Sequence, residues 1–213
     1  DYPLDLQLDA TIKEEIAAGQ TLSLKADGSV AKLKLSAQLA GLAKAFLTGE
    51  LQPLKPELPF DLSLIQGDLQ WPLKGKGDYF ASIDKLRVQG SLNGYSLNLD
   101  TALKGVQLPD VSLSLQGKGD FSHIKLSQVD IATLGGTISG DVMVDWQAPI
   151  NWAANLTLAH IQPGLQWPEA EGDISGAVST TGNIPETGGW QVNDPNSQNA
   201  SVLMTKGLHR QGR

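Results

Sequence analysis

Hydrophobic residues recur at every second position along almost the whole chain. Leu4, Leu6, Leu8 and Ala10 alternate with Asp5, Gln7 and Asp9, and Leu33, Leu35, Ala37 and Leu39 alternate with Lys34, Ser36 and Gln38. The same period runs through residues 43–51, 60–64, 95–103, 111–115, 138–146, 150–158 and 174–178. Successive side chains of a strand point to opposite faces, so a period of two separates a dry face from a wet one. Such two-faced strands belong to antiparallel sheets, whereas strands of parallel βαβ units are apolar on both faces. The spacing predicts twelve or thirteen strands, mostly in a meander, with turns at Asp27-Gly28, Asn93-Gly94 and Gly135-Gly136. Only residues 12–18 have helical composition, and they span barely two turns.

Composition narrows the function. The net charge of −7 argues against nucleic acid, whose phosphates demand a basic face. The absence of Cys excludes a disulfide framework, thiolate zinc sites and a Cys nucleophile. No apolar run approaches the roughly 18 residues that span a membrane. One imbalance is unusual for an all-strand chain: Leu (32) outnumbers Val (10) and Ile (11) together, although the stiff β-branched pair suits a pleated surface better. The alternation stops after residue 193. From Asp194 a polar tail with Lys206, Arg210 and Arg213 follows, so residues 1–193 read as the folded segment and 194–213 as a non-native or disordered tail.

The search for reactive groups comes up nearly empty. His123, His160 and His209 are scattered, with no carboxylates gathered around them in sequence, and read as isolated strand-end residues rather than metal ligands. Five Gly-Asp pairs (at residues 67, 77, 119, 140 and 172) lack the tandem nonapeptide spacing of calcium β-rolls and read as turn and strand-entry residues. Residues 136–140 and 172–176 hold Ser fourth rather than third between glycines, unlike a nucleophile elbow. No metal, cofactor or catalytic residue is therefore expected. Leu73–Tyr79 echoes Leu115–Phe121, and Leu-Gln-Trp-Pro occurs at both 69 and 165, but the unequal offsets give no fixed-period array. They suggest loosely duplicated hairpins instead.

What remains is the continuous apolar face. Alternation alone leaves two architectures open: a β-sandwich closed by a second layer, or an open curved sheet whose dry face lines a groove. Long Leu-alternating strands, Leu-x-Gly-x-Gly-Asp hairpins and Trp-Pro strand ends resemble the AsmA-like superfamily, and most closely its TamB branch, the translocation and assembly module subunits. The likeness is carried best by residues 60–73 (Phe-Asp-Leu-Ser-Leu-Ile-Gln-Gly-Asp-Leu-Gln-Trp-Pro-Leu). Next comes the stretch from Gly140 to Trp167, punctuated by Trp146, Trp152 and Trp167. It covers roughly residues 1–193.

The resemblance implies an all-β fold: a long antiparallel meander curved into a U-shaped trough with a hydrophobic interior. It also implies a segment of the periplasmic region of an inner-membrane-anchored protein of a Gram-negative bacterium. Such proteins meet an Omp85-type outer-membrane barrel (TamA) and are implicated in moving phospholipid and in outer-membrane protein assembly. On that reading the acyl chains of phospholipid lie against Leu33, Leu35, Leu62, Leu64, Leu97, Leu99, Leu113, Leu115, Val142, Val144, Leu156 and Leu158. A different role, a scaffold that offers its sheet edges to client strands, is the alternative. An enzyme such as a β-helix carbohydrate-active protein would need acidic or aromatic clusters that the chain lacks.

Overall fold

The computed structural model describes residues 2–13, 19–147, 149–184 and 191–193. These form one antiparallel sheet of thirteen strands whose spatial order is the sequence order. The strands are β1 (Pro3–Thr11), β2 (Thr21–Ser29), β3 (Lys32–Ala40), β4 (Lys44–Leu51), β5 (Phe60–Trp71), β6 (Tyr79–Ser91) and β7 (Gly94–Gly105). They continue with β8 (Leu108–Gly119), β9 (His123–Thr133), β10 (Gly136–Asp145), β11 (Ile150–Ile161), β12 (Ile174–Ile184) and β13 (Gln191–Asn193). The one helical element among the described residues is a 3-10 turn at Pro163–Leu165. The expected helix over 12–18 falls largely on residues outside the described set, as does the tail 194–213.

The sheet is open. Among the described residues β1 pairs only with β2, and packing between strands follows the ladder neighbours. Among the described residues no second sheet covers the apolar face, so they form the trough-type meander and not the sandwich. Few hydrophobic residues among those described are buried: Ala26, Ala43, Val129, Ala154 and Ile161.

Several strands carry bulges, which bend a strand and increase its twist. In β5 the register against β4 shifts at Ile65, and in β6 the register against β7 shifts at Asp84. These two extra residues lie at the same level of adjacent strands, so β5 and β6 are bent together. β9 gains a residue against β8 after Leu126. Each bulge also resets the alternation: the inward positions of β5 pass from Leu64 to Gly67, those of β6 from Ile83 to Leu86, and those of β9 from Leu126 to Val129.

The loops fall on two margins. One, here the lower, holds the β2–β3, β4–β5, β6–β7, β8–β9 and β10–β11 connections; the upper holds the β1–β2, β3–β4, β5–β6, β7–β8, β9–β10 and β11–β12 connections. Turns of the lower margin are stitched to one another: Leu92 N–H donates to Glu57 O (2.9 Å), Phe121 N–H to Leu92 O (3.0 Å) and Trp146 N–H to Ser122 O (3.0 Å). On the upper margin the Gln20 side chain is 1% exposed. With its amide nitrogen turned toward Ala40 O and Ala43 O (both 3.1 Å), its oxygen accepts from Leu42 N (2.8 Å) and Ala43 N (2.9 Å). One amide thus satisfies the β3–β4 turn.

Three sequence expectations are corrected. Asp27-Gly28 is not a turn but the end of β2, paired with Lys34 and Leu33; the turn follows at Val30 and Ala31. Only the Gly-Asp pairs at 77 and 172 precede a strand: Gly67-Asp68 and Gly140-Asp141 lie inside β5 and β10, and Gly119-Asp120 closes β8. The echoed segments are not duplicated hairpins. Leu73–Tyr79 spans an upper loop, whereas Leu115–Phe121 ends β8 at the lower margin.

Candidate apolar groove

Cross-strand partners share a face, so the register fixes which side chains stand together. Three ladders cross the sheet from β1 to β12. The first runs Leu6, Ala26, Leu35, Gly49, Leu62, Val88, Leu97, Gly117, Leu126, Val142, Ala154, Thr180. The second passes through Leu8, Leu24, Leu47, Leu64, Leu86, Leu99, Leu115, Val129 and Leu156, and the third through Leu22, Leu39, Ile83, Thr101, Leu113, Ile131, Ile138 and Leu158. None of the three contains a charged or an aromatic residue. Thr101 and Thr180 are their only polar members, and the Thr101 hydroxyl donates to Ser82 O at 2.9 Å, so it adds no unsatisfied group.

All twelve residues singled out in the sequence stand on this one face. Leu35, Leu62, Leu97 and Val142 share the first ladder; Leu64, Leu99, Leu115 and Leu156 share the second; Leu113 and Leu158 share the third. Leu33 and Val144 belong to a fourth ladder nearer the lower margin: Leu4, Gly28, Leu33, Leu51, Phe60, Gly90, Tyr95, Gly119, Ile124, Val144, Trp152, Gly182. Sequence reasoning missed the residues between them, above all Leu86, Val88, Val129 and Ile131 of β6 and β9.

The fourth ladder differs in kind. Its aromatic residues lie beside glycines, and a Cβ on Gly182 would fall inside the Trp152 ring. The Phe60 and Tyr95 rings, 6.4 Å apart, both neighbour Gly90 in the ladder. Glycine lets a large ring lie across the adjacent strand instead of standing up from it. The upper margin has a corresponding short ladder: Trp71, Tyr79, Gly105, Leu108.

The polar face is held by cross-strand pairs. Arg87 donates to both carboxylate oxygens of Asp61 (3.0 and 2.7 Å), and that guanidinium holds the Asp61 carboxyl below its usual range. Ser114 donates to Asp100 (2.7 Å), and Lys32 pairs with Glu50 (2.8 Å). Exposed pairs of this sort contribute little individually.

His123 and His160 are not isolated, contrary to the sequence reading; His209 lies outside the described residues. Asp120 accepts from Ser122 Oγ (2.6 Å), Ser122 N–H (2.7 Å) and His123 N–H (3.1 Å), and lies 3.1 Å from His123 Nδ1. The Ser122 bonds come first in lowering its carboxyl to about 2. His160 Nδ1 lies 3.1 Å from Asp173 Oδ2, while the His160 backbone N–H donates to Ser175 Oγ. Ser175 therefore receives from the backbone, not from the imidazole, and the trio closes a loop without the geometry of an activated nucleophile. Among the described residues no three His, Cys, Asp or Glu side chains gather as a metal site. Nor is any helix long and apolar enough to cross a membrane.

The family model described as TamB, N-terminal domain, matches residues 1–213. No solved structure matches the chain. The chain belongs to the TamB N-terminal domain family.

Proposed function

We propose that this member of the TamB family is a non-enzymatic conduit segment, along whose apolar face phospholipid acyl chains travel between the inner and outer membranes of a Gram-negative envelope. The observation that carries this reading is the set of three aliphatic ladders, uninterrupted by charge from β1 to β12 and, among the described residues, uncovered by a second layer. Transfer of about fifteen methylenes into water is unfavourable by roughly 12 kcal/mol, at ~0.8 kcal/mol each. A face that replaces water with leucine all along the path removes most of that barrier. Strands stacked ~4.8 Å apart carry the face about 55 Å along the sheet axis. In this role the segment acts within the periplasm, joined through the rest of its parent protein to an inner-membrane anchor and to an Omp85-type barrel, TamA.

Site-specific photo-crosslinking from Leu97 and Leu113 in cells tests it. Phospholipid adducts at both positions are expected. Capture of outer-membrane protein instead, with no lipid at either position, overturns the conduit.

A second reading, a scaffold for outer-membrane protein assembly, is favoured by β1. Among the described residues no strand pairs with its outer edge, and its inward side carries Leu4, Leu6, Leu8 and Ala10. Edge strands usually carry an inward charge or another block against pairing. A client strand added there would continue the four ladders by augmentation.

A further inference from the structure

The aromatic residues of the apolar face stand outside the three inner ladders. Phe60, Tyr95 and Trp152 lie along the lower margin, and Trp71 and Tyr79 form the ladder of the upper one. Trp and Tyr join an apolar ring to a polar tip, and they concentrate where hydrocarbon meets polar groups. An aliphatic floor between aromatic lips is the lateral profile of a lipid: chains in the middle, ester and glycerol at the boundary.

The Tyr95 segment of the lower lip and the β5–β6 segment of the upper lip differ in charge. The lower one holds Asp120, ionised in its four-contact knot, next to the Tyr95 phenol. Burial first, and the Asp120 charge second, raise the Tyr95 pKa. The upper lip holds Trp71 (56% exposed) and Tyr79 (44% exposed), opposite one another in the ladder. The loop between them carries the exposed Lys74 and Lys76 against one exposed carboxylate, Asp78, a local excess of one positive charge. That loop is fixed: Gln70 Nε2 donates to Pro72 O (3.2 Å) and Gly75 O (3.3 Å), and Asp78 N–H donates to Trp71 O (2.9 Å). A phosphate is repelled beside Tyr95 and attracted at the β5–β6 loop.

Building on the conduit reading above, we propose that the upper lip at β5–β6 is a phosphoglycerol subsite. Trp71 and Tyr79 take the glycerol-ester region of a phospholipid and Lys74 and Lys76 its phosphate, while the acyl chains lie on the inner ladders. Lipid then moves with its headgroup on one side of the groove, oriented rather than tumbling.

The test uses the whole chain and phosphatidylglycerol carrying a photoactivatable diazirine either at the glycerol end or at the methyl end of an acyl chain. Adducts are mapped by peptide mass spectrometry. The glycerol-end probe is expected to label Trp71 and Tyr79 roughly fivefold more than Phe60, Tyr95 and Trp152, a ratio within reach of one aromatic contact. The methyl-end probe is expected on the inner ladders. Lys74→Gln with Lys76→Gln, both exposed, should bring the glycerol-end ratio close to one without reducing methyl-end labelling. Equal glycerol-end labelling of both lips overturns the subsite and leaves the conduit standing. No labelling of the apolar face by either probe overturns both.

Discussion

β1 and β7 carry the same alternation of apolar and polar residues, yet their apolar side chains meet different surroundings. Leu97 and Leu99 of β7 have partners on both sides, Val88 with Gly117 and Leu86 with Leu115, and are half-buried. Leu6 and Leu8 of β1 have partners on one side only, Ala26 and Leu24, and each is 52% exposed. In a two-layer protein, burial comes mostly from the opposite layer. Here it comes from lateral neighbours, so a residue's position across the sheet decides how much its side chain contributes.

Substitutions can break or sharpen that comparison. Leu99→Asp places a carboxylate between Leu86 and Leu115 and is expected to cost about 3 kcal/mol, read as a lower denaturant midpoint, without preventing folding. It should also abolish lipid adducts at Leu97. Failure to fold would reveal a covering layer and remove the contrast with β1. Gln20→Ala, at the one fully closed polar side chain near β1, leaves up to four backbone groups of the β3–β4 turn without partners, and is expected to cost about 2 kcal/mol. A change near zero would mean that water replaces the amide. Leu6→Asp on the half-covered edge is expected to cost under about 1 kcal/mol by the same denaturant measurement. A cost equal to that of Leu99→Asp would show that β1 is covered in solution.

The smallest effect concerns pH at the β8–β9 turn, on the inner side of the comparison. Asp120 sits at about 2, below its ordinary 3.8. Its contribution to stability is therefore complete above the ordinary value and lost as pH falls through about 4 toward 2. Between those pH values the melting temperature of the wild type should fall more steeply than that of Asp120→Asn. Parallel curves would show that the turn gains nothing from the charge.

Much of this was legible in the sequence because one period ran through it. The face of every predicted lining residue followed from that period. β6 and β9 were not legible, and β5 was read only as far as Leu64. In each, a bulge shifts the inward positions from even to odd or back, and strict alternation loses its phase. The missed signal is a three-residue step between apolar positions, as from Leu126 to Val129, flanked by alternation on both sides. The absence of a second layer could not be read from alternation, because a sandwich and an open trough demand the same dry face. The Gln20 anchor left no trace either, since it depends on the β3–β4 turn being folded against it. The histidine pairs were hidden because a hairpin or a loop, not sequence proximity alone, brings each carboxylate to its ring.

The excess of Leu over Val and Ile acquires a location. The second ladder is leucine at most of its positions. A γ-branched side chain has more rotamers available than a β-branched one. A face without a fixed opposing layer therefore stays deformable where it is most apolar.

Because packing follows ladder neighbours, stability in this sheet is close to a sum of adjacent-pair terms, as in linear repeat proteins. Removing or adding one hairpin changes the number of such terms by two and leaves the pairings beyond its neighbours intact. It also changes length by a set step of about 10 Å, two strand spacings. A sheet built in this way can be matched to the width of a compartment by counting hairpins, with no redesign of the parts already present.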